Sequence, residues 1–132
     1  MQYVNLTKLI AAGPASGNDS IAISTTLFRR LLVSALREKG VFDESFYLAA
    51  NSDIKEAVAR RSIASAAEHY YTTGYFEGRM PKKIMVDERF YLENNLDVSG
   101  AIRKKAVASA QEHFELAGFA EGRQPYEGFT LF

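Results

Sequence analysis

Apolar residues recur at helical spacing between residues 26 and 39. They fall on one face of a helix and are Leu27, Phe28, Leu31, Leu32, Ala35 and Leu36. This stripe ends at the polar run from Arg37 to Gly40. The residues from Gly13 to Ser20 are glycine, proline and small polar types, which favour a loop. The first part of the chain therefore predicts a loop followed by an amphipathic helix.

The remainder of the chain repeats itself. Residues 42–81 align without a gap with residues 86–125, at a constant offset of 44 positions. In the first copy, identical residues include Asp43, Glu44, Phe46, Tyr47, Leu48, Asn51, Asp53, Ala64, Ser65, Ala66, Glu68, His69, Gly74, Glu77, Gly78, Arg79 and Pro81. Many other positions differ only conservatively, so the two segments read as homologous units.

Each unit predicts a run of three short helices. In the first unit, Asp43 is placed to cap the first helix and Asp53 to cap the second. The third is expected from about residue 63 to residue 73, and Gly74 would end it in the left-handed conformation. The matching residues 44 positions later predict the same elements in the second unit.

We therefore predict an all-α fold of two tandem homologous helical repeat units with an N-terminal amphipathic capping helix. Residues 1–41 are the N-terminal segment with the loop and the capping helix. Residues 42–81 and 86–125 are the two units, and residues 126–132 form an apolar tail. The whole chain is expected to fold as one compact domain.

Composition narrows the classes of function. The chain has 132 residues, 47% of them hydrophobic, which suffices for a core without metals or disulfides. Sixteen basic residues balance sixteen acidic ones, so we expect no nucleic-acid partner. The absence of cysteine excludes a disulfide framework, a thiolate metal site and a cysteine nucleophile.

The same residues bear on location. The first ten residues are too broken by polar side chains for a signal-peptide core. No window approaches the roughly 20 apolar residues that a membrane-spanning helix needs. We expect a cytoplasmic protein without a membrane span, and non-classical export to the cell surface stays open.

The histidines are the first candidates for chemistry, since His69 and His113 occupy equivalent places and follow Glu68 and Glu112. Histidine can move protons or bind metal near neutral pH. Adjacent helical residues point about 100° apart, however, so neither glutamate orients its neighbour. We interpret these four residues as repeat-equivalent structural polar groups, with the imidazoles bonding between helices.

Arginines and aromatic residues are the second group of candidates. Arg79 and Arg123 could bind carboxylates or sugar hydroxyls, or they could tie the turn to Asp43, Glu44 or the twins of these residues. Aromatic residues could stack on sugar rings or form core. The candidate interaction residues are Tyr70, Tyr71, Tyr75, Arg79, Phe119, Arg123, Phe129 and Phe132.

The repeat also resembles a known pattern. Its columns Phe-Tyr-Leu, Asn, Asp-Ile/Val, Ser-Ala, Glu-His-Tyr/Phe, Gly, Glu-Gly-Arg and Pro resemble a short repeat found in many bacterial proteins. Such repeats lie beside glycosyltransferase domains of surface-polysaccharide synthesis and in some exported proteins of the calcium-binding haemolysin type. Neither a glycosyltransferase domain nor calcium nonapeptides accompany the repeats in this chain. The resemblance implies a polysaccharide or cell-surface context and no particular reaction.

These observations predict a non-enzymatic protein that uses no cofactor and no metal. No Gly-X-Ser-X-Gly elbow, phosphate loop or dinucleotide fingerprint is present. The leading hypothesis is an interaction or adaptor module for bacterial surface-polysaccharide (exopolysaccharide) synthesis or its regulation. It would act through a protein partner or by self-association into an oligomer. The alternatives are a polysaccharide-binding module and a structural subunit of a phage-like or cell-surface assembly.

Overall fold

The structure, a computed structural model, describes residues 2–11 and 23–130. Within these ranges the regular elements are helical and no strand is present, so the all-α prediction is confirmed. The predicted loop from Gly13 to Ser20 lies outside the described residues, as does Phe132. None of the described helices is long and apolar enough to cross a membrane.

The long predicted helix is present as α2 (Thr25–Lys39), which begins one residue before its predicted start. The Ser24 side chain accepts a hydrogen bond from the Leu27 N–H and caps its first turn. Gly40 ends it in the left-handed conformation, with φ of 59°. Helix α2 packs on the segment Tyr70–Gly74, so it lies against the first predicted unit.

The first unit contains short helices joined by tight turns. They are α3 (Glu44–Ala50), α4 (Ser52–Ala59), α5 (Ala66–His69) and a π-helical turn (Tyr70–Gly74). Asp43 caps α3 by accepting from the Phe46 N–H at 3.0 Å, as predicted. Ser65 caps α5 in the same way, by accepting from the Glu68 N–H.

The second unit contains α6 (Glu88–Asn94), α7 (Leu96–Arg103), α8 (Ala110–His113), a second π-helical turn (Phe114–Gly118) and α9 (Phe119–Glu121). Local geometry repeats at the offset of 44 positions. Asp87 and Ser109 cap α6 and α8 with the same bonds as their twins. Arg61 and Lys105 even share a positive φ, of 57° and 58°.

Each unit closes on itself at its two ends. The Asp43 N–H donates to the Pro81 carbonyl at 3.0 Å, and the Asp87 N–H donates to the Pro125 carbonyl at 2.9 Å. Both prolines are fully buried. Backbone hydrogen bonds therefore join the start and the finish of each sequence unit.

Three local predictions are wrong. Asp53 does not cap α4, because that helix begins at Ser52 and the Asp53 carboxylate binds Arg79. The third helix begins at Ala66 rather than near residue 63, because Ser65 caps it. Gly74 is not left-handed, and the glycine of positive φ in this turn is Gly78, at 75°.

The core is built around tyrosine as much as around aliphatic residues. Tyr47, Tyr70, Tyr91 and Phe114 have fully buried side chains. The two residues on either side of Tyr47 are more apolar than it is. Yet Phe46 and Leu48 are only half-buried, at the edge of the core. Both residues pack against the core, and the tyrosine between them is the side chain that the core encloses fully.

Helix α1 (Tyr3–Ala11) was not predicted, and its first turn joins distant parts of the chain. The buried Gln2 side chain donates to the Phe119 and Arg123 carbonyls at 3.1 and 3.2 Å. Tyr3 packs edge-on against Phe76, with ring centroids 5.0 Å apart. Helix α1 therefore contacts both units through its first residues.

The Tyr70 hydroxyl is buried and has no hydrogen-bond partner among the described residues. A buried polar group without a partner costs about 1–3 kcal/mol. The equivalent residue of the second unit is Phe114, which fills the same position without a hydroxyl. We expect Tyr70→Phe to raise the free energy of unfolding by about 1 kcal/mol, measured by urea denaturation.

Tyr47→Phe is the matched control, because it also removes one buried hydroxyl. That hydroxyl is bonded to His69 at 3.0 Å, so its loss should lower stability by about 1 kcal/mol. A Tyr70→Phe variant less stable than the wild type would contradict the assignment of an unpaired hydroxyl.

Candidate functional site

The two histidines bond to tyrosines of the helix that opens their own unit. His69 Nδ1 lies 3.0 Å from Tyr47 Oη, and His113 Nδ1 lies 3.0 Å from Tyr91 Oη. The imidazole tautomer determines which partner donates. This agrees with the interpretation of the histidines as inter-helix hydrogen-bonding groups.

Burial sets the protonation of the first pair. It raises the pKa of Tyr47 to about 12. Burial, with the nearby Arg79 guanidinium, also holds the pKa of His69 below its ordinary value. Both groups are therefore neutral at pH 7, and the pair forms a hydrogen bond between neutral side chains.

A glycine makes room for each tyrosine hydroxyl. A Cβ on Gly74 would collide with Tyr47 Oη, and a Cβ on Gly118 would collide with Tyr91 Oη. Both glycines end a π-helical turn, a distortion that often accompanies functional sites. In this fold the turn brings the glycine backbone against the tyrosine, which explains why glycine stands at both positions.

Arg79 is fully engaged by groups of its own unit. It donates through Nε to Glu77 at 2.7 Å, through Nη1 to Asn51 at 2.8 Å and through both Nη groups to Asp53. Hydrogen bonding to Asp53 raises the pKa of Arg79 and lowers that of Asp53. Arg79 therefore ties its turn to other residues of its own unit, which is one of the two roles considered for it. The predicted partners Asp43 and Glu44 are wrong, because the guanidinium binds other groups.

Arg123 repeats this network with Glu121, Asn95 and Asp97. Its hydrogen bonds lower the pKa of Asp97 to about 2. The Arg123 side chain is only 22% exposed, and the paired carboxylates balance its charge. Neither arginine presents a free planar fork to a carboxylate or sugar.

The aromatic candidates are mostly internal. Tyr70, Tyr71, Tyr75 and Phe119 are buried, so none offers an exposed face for a sugar ring. Phe129 is half-buried and packs edge-on against Tyr126 at 5.3 Å. Of the two interpretations of these rings, core is the one that their burial supports, and the three tyrosines and Phe119 are not accessible as interaction residues.

The accessible apolar side chains lie elsewhere, and the sequence analysis did not single them out as a site. The exposed large hydrophobic residues are Ile23, Leu27, Leu31, Met85, Leu96, Leu116 and Tyr126. Three of them share α2 and its N-terminal flank, and a further two, Met85 and Tyr126, line one groove. The four-residue spacing of Leu27 and Leu31 on α2 was visible in the sequence. The sequence analysis, however, placed both residues on the same apolar face as the buried Leu36.

In the part of the chain that the structure describes, no group of three or more His, Asp or Glu side chains is placed to hold a metal ion. The Glu68 side chain pairs with Arg37 of α2, and Glu112 bonds to the Ala108 N–H. Glu68 therefore bonds between helices, and Glu112 bonds to the backbone just before its own helix. Comparison of the chain with protein-family models, curated proteins and solved structures found no match.

Proposed function

We propose that this chain is a non-catalytic protein-interaction module made of two homologous helical units. In this proposal α2 covers one end of the first unit and offers its outer face to a helix of a partner protein. The bonding of both histidines and both repeat arginines to groups of their own units supports a structural role for them. The carrying observation is the apolar outer face of α2.

Helix α2 is apolar on two opposite sides. Leu36 is fully buried against the first unit. Leu27 and Leu31 are 46% and 55% exposed, and their four-residue spacing places them on the other side. Ile23, 43% exposed, directly precedes the cap residue Ser24. A surface helix normally places polar side chains on that side. The outer stripe is therefore surface that a second protein could cover.

The shape of this stripe favours a helix as the occupant. Residues four positions apart form one ridge along a helix surface. Such a ridge packs into the groove between ridges of a second helix, the commonest helix pairing in globular proteins. Leu27 and Leu31 lie on one such ridge, and the exposed Ile23 directly precedes the helix, so we assign this apolar stripe to a partner helix.

The resemblance of the repeat supplies the proposed setting. We place the partner among proteins of bacterial surface-polysaccharide synthesis or its regulation. A polysaccharide-binding role for the predicted aromatic set has less support, because Tyr70, Tyr71 and Tyr75 are buried. A structural subunit that assembles with itself is the remaining alternative, and the experiment below distinguishes it.

The absence of cysteine allows a site-specific test. Leu31→Cys carries a photo-crosslinker on the outer face of α2, and Leu96→Cys, at another exposed leucine, is the control. Each variant is labelled after purification and crosslinked in an extract of native cells, and the joined peptides are identified by mass spectrometry. We expect Leu31→Cys, and not the control, to join to a helical segment of another protein.

The partner identified in this way is then purified and titrated with the wild-type chain. The double variant Leu27→Ser with Leu31→Ser should weaken binding at least tenfold, and Leu96→Ser with Leu116→Ser should leave it unchanged. Crosslinks between copies of this chain would support the self-assembling subunit instead. Equal crosslinking at Leu31→Cys and Leu96→Cys would refute the assignment of the α2 face.

A further inference from the structure

A second accessible surface lies where the connector between the units meets the segment after the second unit. It is a groove of about 300 Å³. It is lined by Lys82, Lys83, Ile84, Met85, Tyr126, Phe129 and Thr130. None of the lining residues belongs to the histidine–tyrosine pairs or to the arginine networks, so the groove is separate from those groups.

Hydrogen bonds hold both walls of the groove. The Gln111 side chain donates to the Ile84 carbonyl and accepts from the Val86 N–H, both at 2.9 Å. On the other wall, the Phe129 N–H donates to the Tyr126 carbonyl across a turn. The bond from Asp87 to Pro125 fixes the start of this wall beside the connector. The groove is therefore preformed, which lowers the entropic cost of binding.

The walls combine apolar surface with positive charge. Met85 is 66% exposed and Tyr126 is 40% exposed. Lys82 and Lys83 are exposed, and neither has a carboxylate within ion-pair distance among the described residues. Among the residues that the structure describes, no acidic side chain lines the groove. Its charge therefore complements an acidic ligand that carries an apolar group.

We propose that this groove binds a short acidic segment of a partner protein. One apolar side chain of the segment lies against Met85 and Tyr126, and carboxylates on either side of it pair with Lys82 and Lys83. The inference rests on the proposed function as a protein-interaction module, and it adds a second docking surface distinct from α2. Methionine suits such a contact because its flexible thioether adapts to different side chains.

The charge pattern favours a peptide over a nucleic acid. A single-stranded nucleic acid presents a phosphate at every nucleotide and is usually held by a continuous positive track. Two lysines line this groove, and the chain as a whole carries no net charge. An acidic peptide needs only a few local pairs around one apolar anchor.

The test uses the full chain and a fluorescein-labelled peptide of sequence Asp-Glu-Asp-Phe-Glu-Asp, blocked at both ends. Binding is followed by fluorescence anisotropy at low and high salt. We expect saturable binding that weakens several-fold at high salt, because exposed charge pairs are screened. The double variant Lys82→Glu with Lys83→Glu should weaken it at least tenfold.

The matched control is Lys39→Glu with Lys55→Glu, which changes the net charge equally at exposed positions outside the groove. It should bind the peptide within twofold of the wild type. Tyr126→Ser should weaken binding about fivefold without a charge change, and Leu96→Ser should not. Thermal melts followed by circular dichroism check that each variant is folded.

Three results would overturn the proposal. They are equal loss of binding in both lysine double variants, equal binding of a peptide with lysine in place of every acidic residue, and tighter binding of a six-nucleotide oligothymidine through Lys82 and Lys83. The α2 variant Leu27→Ser with Leu31→Ser should still bind the acidic peptide. If the peptide does not bind in the groove, the crosslinking result at α2 is unaffected. Each experiment therefore tests one of the two proposals independently of the other.

Discussion

Gly118→Ala is expected to destabilise the fold by about 2–3 kcal/mol. The added Cβ collides with the Tyr91 hydroxyl and comes within 3.2 Å of the Phe114 ring. Tyr91 and Phe114 are fully buried, so neither side chain can move away without disturbing the core. Overpacking of this kind costs about 1–3 kcal/mol, and Tyr91 also loses the geometry of its bond to His113. Urea denaturation measures the change.

A double-mutant cycle isolates the collision. Tyr91→Phe removes the hydroxyl that the new Cβ would strike, so Gly118→Ala should cost about 1 kcal/mol less in that background. Gly100→Ala is the control, because a Cβ there meets nothing within 4 Å and Gly100 lies inside α7. It should stabilise by about 0.5–1 kcal/mol through helix propensity. Additive costs for Gly118→Ala and Tyr91→Phe would disprove the contact.

Arg123→Ala is expected to destabilise by about 2 kcal/mol. The side chain is only 22% exposed and connects Asn95, Asp97 and Glu121 through charge-assisted bonds. Arg123→Lys should recover little of this loss, because an ammonium cannot reproduce the planar fork. The control is Arg89→Ala, whose exposed pair with Glu93 lies one helical turn apart and should change stability by at most about 0.5 kcal/mol.

The Arg123 effect should depend on pH in a defined direction. The Asp97 pKa is lower in the folded chain, about 2, than its ordinary value. Its contribution to stability is therefore present above the ordinary carboxyl pKa and is lost as the pH falls towards 2. Denaturation between pH 5 and pH 2 should show the gap between wild type and Arg123→Ala narrowing. A constant gap would mean that Asp97 contributes nothing to the effect of Arg123.

Local signals explain why part of the fold could be predicted. Asp43 and Asp87 cap helices through bonds to residues three positions away, and the sequence contains everything that such a cap needs. Asp53 is an equally good cap residue by type. It pairs instead with Arg79, 26 positions away, and no local pattern distinguishes the two outcomes. The α2 helix was predicted to within one residue because its apolar period is long and regular.

Non-local contacts explain what the sequence analysis missed. Tyr47 lies between two more apolar residues, yet it is the one fully buried, and its hydroxyl bonds to His69, 22 positions away. Gly74 suggested a left-handed helix end, whereas its lack of a side chain serves the close approach of Tyr47. The candidate docking groove needed the connector and the segment after the second unit to lie together, and only the structure places them so.

Helix α1 and the residue before it join the start of the chain to the end of the second unit. Gln2 and Phe119 are 117 positions apart, so we expect their bond to form after the intervening chain has been organised. Asn5 adds a bond to the Gly122 carbonyl at 3.0 Å. We therefore expect the docking of α1 to come late in folding. Gln2, just before α1, and Asn5 in its first turn hold these carbonyls, so release of this segment would uncover them without breaking the bonds inside either unit.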